Sequence, residues 1–201
     1  NDEIDLNAFN LFLSKITNFV LGYSLINPGV NQLRTPIFKE MSEIVNHNNL
    51  VPDFENHLFD ENSLRIAFDN FEFSNMKGIT KSFLVWFAFL KENQQLLSLK
   101  EPLQIEHIFA KKRAEINGIS DKNLIESIGN KIILESSINI KASDFEFDVK
   151  KDFYLGKKRR GISKEPSKIA EIIDLTNIDK FDENEIIERK SRIIDNFIEK
   201  L

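Results

Sequence analysis

The chain has no cysteine, so disulfides and thiolate metal sites are both excluded. This accords with a cytoplasmic protein, which is the expected location. No uninterrupted apolar run approaches the ~20 residues that span a bilayer. The most apolar run, 83–90, is far shorter, and no membrane association is expected. No secretory signal pattern opens the sequence. The first residue is Asn rather than Met, and the chain is expected to be a piece of a longer protein. Internal repeats and low-complexity segments are lacking. Net positive charge is lacking too: the formal balance is −5, which taken alone argues against a nucleic-acid partner.

What is present is a globular composition, 41% hydrophobic and 29% charged over 201 residues, enough for one substantial core or two small ones. The charge is unevenly spread. Residues 1–99 carry 7 Lys/Arg against 12 Asp/Glu, residues 100–170 carry 15 against 11, and residues 171–201 carry 5 against 9. Only the middle segment is positive. Phosphate binding draws on local Lys and Arg, so that local excess outweighs the total.

The first half reads as helical. Leu6, Phe9, Phe12, Leu13, Ile16, Phe19 and Val20 recur at steps of three and four, which predicts an amphipathic helix over 5–23. Asn27-Pro28-Gly29 breaks it. A second helix is predicted over 30–45, with Pro36 marking a kink or a new start. Short helical patches such as 63–68 follow, and Gly78 opens a helix expected to run to about Gln94, buried on most sides. A Phe-rich core is predicted for this half.

The pattern then changes. Alternation from Leu103 predicts a strand reaching as far as Phe109. Residues 111–127 read as a basic, then polar, loop with a turn at Asn117-Gly118. Residues 131–136 read as a second strand. Ser143 and Glu146 have capping-box spacing, predicting a helix over 144–154 that stops at Gly156. A short helix is expected over 168–175. The last helix has Asp182 as N-cap, Glu185 completing a box and a Phe181–Ile186 staple. Its apolar face is read as Ile187, Ile193, Ile194, Phe197, Ile198 and Leu201. The fold class is therefore mainly α with a small antiparallel β-hairpin. A helical subdomain over 1–99 is followed by a second domain over 100–201.

The chemistry concentrates in the hairpin. Of the three histidines, only His107 lies in a basic segment with strand character. A neutral imidazole can activate water for phosphodiester hydrolysis. Glu106 is a hard oxygen donor suited to Mg²⁺ or Mn²⁺, and Asn139 offers a neutral amide oxygen where the following helix begins. Lys141 and the Lys111-Lys112-Arg113 cluster can contact phosphate. The run Lys157, Lys158, Arg159, Arg160 suits a solvated loop as well as a DNA contact. His107 would read as a structural histidine without the two downstream asparagines, and Asn130 after Gly129 suits a turn. Adjacent strand residues face opposite sides, so Glu106 and His107 share a site only if the strand ends or twists there.

These residues, in order, are Ile105-Glu106-His107-Ile108, Ile128-Gly129-Asn130-Lys131-Ile132-Ile133-Leu134 and Ser137-Ile138-Asn139-Ile140-Lys141-Ala142-Ser143. The set resembles the HNH endonuclease domain of the ββα-metal superfamily. Within it, the set more closely resembles the C-terminal nuclease domain of GmrSD-type restriction proteins. The resemblance is good over about 95–201 and loose before that. It implies a ββα-metal nuclease core in which His107 is the general base and Glu106 and Asn139 hold the metal. Asn130 would brace the loop and orient the histidine, and Lys141 would touch phosphate. The His107 imidazole and the Asn139 amide should then converge. The family often has Pro three residues after the histidine, where this chain has Ala110. Further implied are DNA as substrate, possibly modified, a role in bacterial phage defence, and an N-terminal nucleotide-hydrolysing sensor domain in the full-length protein. A non-catalytic binding module of the same fold is the alternative, and an RNA-cutting toxin a third reading.

Overall fold

A computed structural model of the chain describes residues 5–47, 51–98, 100–117, 121–157 and 165–201. They fall into two compact units. One comprises residues up to 71 together with 194–201, and the other comprises 72–193. The architecture is mostly helical with one two-stranded antiparallel sheet, as the sequence pattern predicts.

In the first unit the Asp5 side chain caps helix α1 (Leu6–Ile26) by accepting from the Asn7 and Ala8 amides. Helices α2 (Val30–His47) and α3 (Glu61–Asn70) follow. Pro36 sits inside α2, which neither restarts nor ends there. The core is aromatic: Phe19 stacks on Phe54 at 3.7 Å between ring centroids, and Phe68 meets Phe197 edge-on at 5.7 Å. His57 packs edge-on to Tyr23, so it serves this core. By length and composition α1 could cross a membrane, with mean hydropathy 1.2 over an 18-residue window. Scattered Asn, Ser and Lys interrupt its apolar residues, which is why a search for unbroken runs passes over it. In this unit it buries Phe19, Leu21, Gly22 and Leu25 along one face.

The second unit is built around the hairpin. Helix α4 (Gly78–Phe89) ends five residues sooner than its composition predicts. Gln94 lies beyond it and bonds the Ala170 amide and the Lys168 carbonyl. Strand β1 (Leu103–His107) pairs antiparallel with β2 (Lys131–Glu135), in a register that runs from Leu103 opposite Glu135 to His107 opposite Lys131. Every residue of β2 is buried, which its unbroken Ile132-Ile133-Leu134 run reflects.

Two sequence expectations fail here. The stretch 111–127 is not a loop: it contains helices α5 (Lys111–Asn117) and α6 (Lys122–Glu126), the latter capped by Asp121. The expected turn at Asn117-Gly118 lies partly outside the described residues. The capping box at Ser143 and Glu146 does not form either. Residues 136–142 are already a helix, α7 (Ser136–Ala142), which buries Ile138 and Ala142 at i and i+4. Ser143 ends it with φ 42°, and α8 (Phe147–Tyr154) begins three residues later than predicted. Helix α9 (Ala170–Leu175) is short as expected.

Helix α10 (Glu183–Glu199) starts as its sequence dictates, with Glu185 accepting from the Asp182 amide at 2.9 Å and Asp182 accepting from that of Asn184 at 3.0 Å. Ile187, assigned to its apolar face, is 52% exposed; Ile186 and Ile193 take the buried positions instead. Between them Arg189 enters the core. Its Nη1 donates to the carbonyls of Ile128, Gly129 and Lys131 at 3.1, 3.0 and 2.7 Å. Its Nε bonds Glu171 at 2.9 Å. The helix passes so close to residue 129 that a Cβ there would lie 2.1 Å from the Ile186 carbonyl oxygen.

Gly129→Ala is therefore expected to cost about 3 kcal/mol by overpacking, roughly 6–12 °C in melting temperature for a chain of this size. Gly78→Ala, where a Cβ meets nothing within 4 Å, should leave the melting temperature unchanged or slightly raised. Thermal denaturation of the two variants checks both.

Candidate active site

The hairpin presents two polar clusters, one on each face of β1. On the first face stand Gln104 and Glu106, two residues apart. Glu106 is only 6% exposed, and Lys150 of α8 donates to its Oε1 at 2.5 Å. The same ammonium donates to the His107 carbonyl at 2.6 Å, and the Tyr154 hydroxyl approaches Glu106 Oε1 at 3.4 Å. Gln104 accepts from the Asn139 side-chain amide at 2.9 Å, while Asn139 Oδ1 is buried without a hydrogen-bond partner.

On the opposite face stands His107, the last residue of the strand. Its imidazole and the Asn139 amide, bound to Gln104 on the first face, therefore do not converge as the sequence led us to expect: adjacent strand residues diverge and the strand is regular up to its end. His107 Nε2 lies 3.4 Å from Oε2 of Glu126, at the end of α6. That same oxygen accepts from Lys131 at 2.6 Å, and Lys111 pairs with the other carboxylate oxygen. Lys131 is His107's cross-strand partner, so both side chains leave the sheet on one side. Its ammonium is fully buried and also donates to the Phe73 carbonyl and, at 2.9 Å, to Asn75.

Asn130 closes the loop between the strands. Its Oδ1 accepts from the Phe109 amide at 2.8 Å, and its Nδ2 donates to the carbonyls of Phe109 and Ile125 at 3.0 and 2.9 Å. The side chain thus does locally what another turn of ladder would do, and β1 ends at His107 rather than at Phe109.

A family model, the C-terminal domain of GmrSD restriction endonucleases, matches residues 59–196, which take in both strands and all the residues just described. The chain belongs to this family. No curated protein and no solved structure matches it.

The three cations of α5 in this GmrSD-type domain are already engaged. In α5, Lys111 pairs with Glu126, Lys112 with Asp144 at 2.9 Å, and Arg113 with Glu146 at 3.5 Å. Lys141 lines a mixed-charge cleft of about 220 Å³ together with Lys157, Glu101 and Glu165. Lys157 pairs with Asp152 at 3.1 Å. Lys158, Arg159 and Arg160 lie outside the described residues.

Sequence reasoning passed over Glu126, Lys131, Lys150 and Arg189. One signal was present for the three cations. Arg189 and Lys150 fall among the apolar positions of their helices, Arg189 three residues after Ile186 and Lys150 four before Tyr154, and Lys131 leads an otherwise apolar strand. A cation at such a position must find a partner inside.

The electrostatics separate the two faces. Burial, reinforced by the Lys131 charge and opposed by Glu126, lowers the His107 pKa to about 4, so the imidazole is neutral at pH 7. Burial alone would raise the Glu126 carboxyl, but hydrogen bonds from Lys111 and Lys131 outweigh it and hold the group at about 2. On the other face burial pushes Glu106 up and Lys150 down, each partly countered by the other.

Among the described residues no three His, Asp or Glu side chains converge as a metal cage. Glu106 and Asn139 nevertheless offer one carboxylate and one amide oxygen beside a common strand face. These are hard donors, in kind suited to Mg²⁺ or Mn²⁺. The unpartnered Asn139 Oδ1 fits such an ion, and Lys150 competes for Glu106.

Two outcomes are expected. In an NMR titration His107 should protonate near pH 4 instead of its usual 6.5. Its folded pKa is depressed, so the unfolded chain binds the proton first and this group removes stability as pH falls from about 6.5 to 4. Lys150→Met strands the buried Glu106 charge and should cost roughly 3–5 kcal/mol in denaturant melts at pH 7. The double change with Glu106→Gln should recover part of that loss.

Proposed function

We propose that the chain is a divalent-metal-dependent HNH endonuclease that hydrolyses DNA phosphodiester bonds in bacterial restriction and phage defence. The observation that carries this reading is His107. It is a neutral imidazole at the end of β1, 3.4 Å from a carboxylate, in a domain of the GmrSD family. A neutral imidazole can accept the proton of an attacking water, a step worth about 10²- to 10⁴-fold in rate. Asn130 keeps the backbone after His107 fixed and so holds the base in register. Mg²⁺ or Mn²⁺ held by Glu106 and Asn139 would neutralise charge on the phosphate and on the leaving oxygen. His107 and the Glu106–Asn139 pair stand on opposite strand faces, so one scissile phosphate would lie across the strand's end. Lys111, Lys112, Arg113, Lys141 and the cations of 157–160 are the proposed phosphate contacts. In the full-length protein, we propose, a nucleotide-hydrolysing sensor domain gates the activity toward foreign, possibly modified, DNA.

One set of contacts favours a second reading, a binding module that has lost catalysis. Glu106 already has a counter-cation in Lys150, and the three cations of α5 each have a carboxylate.

Incubation with supercoiled plasmid and Mg²⁺ or Mn²⁺ separates the two. The nuclease reading expects nicking that EDTA abolishes and that His107→Ala reduces by about 10²-fold or more, with the variant's melting temperature close to the parent's. Equal activity of parent and variant would remove His107 from the mechanism. Salt-sensitive DNA binding without nicking, in the chain and in the full-length protein with nucleotide, would establish the binding module.

A further inference from the structure

The contact between His107 and Glu126 specifies more than a neutral imidazole. Glu126 Oε2 faces two donors, Lys131 Nζ at 2.6 Å and His107 Nε2 at 3.4 Å. Lys131 cannot withdraw, because its ammonium is buried and also tied to Phe73 and Asn75. Lys111 holds the other carboxylate oxygen. The carboxylate is thus fixed from both sides before it meets the histidine. An ionised carboxylate accepts hydrogen bonds and donates none, so the imidazole nitrogen facing it is the one that carries hydrogen.

We propose that Glu126 is a positioning residue that holds His107 in its Nε2–H tautomer, making Nδ1 the nitrogen that takes the proton from the attacking water. The assignment rests on the nuclease reading above. In the step itself the water O–H bond breaks, Nδ1 gains the proton and the water oxygen bonds phosphorus. The P–O bond to the leaving alkoxide breaks, and the alkoxide takes a proton from solvent. The imidazolium formed is met across Nε2–H by the Glu126 charge and later returns its proton to solvent. A second group that orients the base is a recurrent requirement of such catalysis, because a free imidazole divides between two tautomers.

Two variants of the full chain separate reach from charge. Glu126→Gln keeps the reach: His107 and Lys131 share one oxygen, so the amide carbonyl takes that place, and the exposed Lys111, which loses its acceptor, turns to solvent. Glu126→Asp keeps the charge against Lys131 but draws the acceptor back by one methylene. Long-range ¹H–¹⁵N correlation reads the tautomer without any need for activity. The parent and Glu126→Gln should show Nε2–H, and Glu126→Asp a mixture. Steady-state cleavage of a duplex oligonucleotide should rank parent, Gln, then Asp in kcat. The Gln variant should fall within about tenfold of the parent and the Asp variant on the order of 100-fold below it, with KM little changed. If Asp matches the parent while Gln fails, the role is one of charge alone and the proposal is overturned. An unchanged Nε2–H tautomer in the Asp variant overturns it equally. A parent without nuclease activity removes the catalytic role together with the nuclease reading, whereas an active parent with indifferent variants removes only this proposal.

Discussion

A single guanidinium inside the second unit fixes the loop on which the site depends. Arg189 reaches the carbonyls of Ile128, Gly129 and Lys131 and pairs with Glu171 behind them. Three carbonyls that the hairpin's own ladder does not satisfy thus converge on one cation in a low-dielectric interior, where such bonds are strongest and their loss most costly. The demand fixes the neighbours in turn. Helix α10 must lie against residue 129, so that residue has no side chain. Asn130 follows with its amide turned onto Phe109, and Phe109 fixes the chain two residues beyond His107. The backbone that carries His107 is therefore held from the far end of the sequence, through the side chains of Arg189 and Asn130.

The hairpin also accommodates four charged groups that a plain apolar core would not. Each face has one carboxylate and one buried lysine, Glu106 with Lys150 and Glu126 with Lys131. Buried pairs of this kind seldom add much net stability over apolar substitutes, yet they are costly to break on one side. Their retention is easier to understand as electrostatic preparation than as cohesion. On one face a carboxylate stays buried against the Lys150 ammonium. On the other, burial and the Lys131 charge keep an imidazole neutral against the pull of Glu126, which stands 3.4 Å from its Nε2.

Much of this was legible in the sequence, and the remainder was hidden for physical reasons. The strands, the flanking helices and the last helix with its box and staple follow from periodicity and local capping chemistry. The resemblance to the GmrSD family rests on the ordered Glu-His, Gly-Asn and Asn-x-Lys residues, and the family model over 59–196 bears it out. Helix α7 was missed because its two buried residues, Ile138 and Ala142, stand among polar and exposed neighbours, so the apolar stripe is thin. Helices α5 and α6 were missed because their stretch is rich in charge, and charge carries no period when most of a helix faces solvent. The faces of β1 posed the harder problem. Alternation says that Glu106 and His107 diverge, and over the regular strand they do. What each then meets depends on α6 and α8, which pack there through contacts 19 and 44 residues away in sequence. No local pattern encodes such partners beyond a cation standing where an apolar residue belongs.

The Asn130 amide has a consequence for how this domain can vary. It clamps both backbone groups of Phe109 across 21 residues, so the excursion carrying α5 and α6 leaves and rejoins the hairpin through a closed neck. A segment tied at its neck can change length with little effect on what lies outside it. Doubling such a loop costs only about 0.6 kcal/mol of closure entropy. A change of length inside that neck would thus leave His107 where it is, provided that Ile125 keeps its bond to Asn130 and Glu126 its contact with His107.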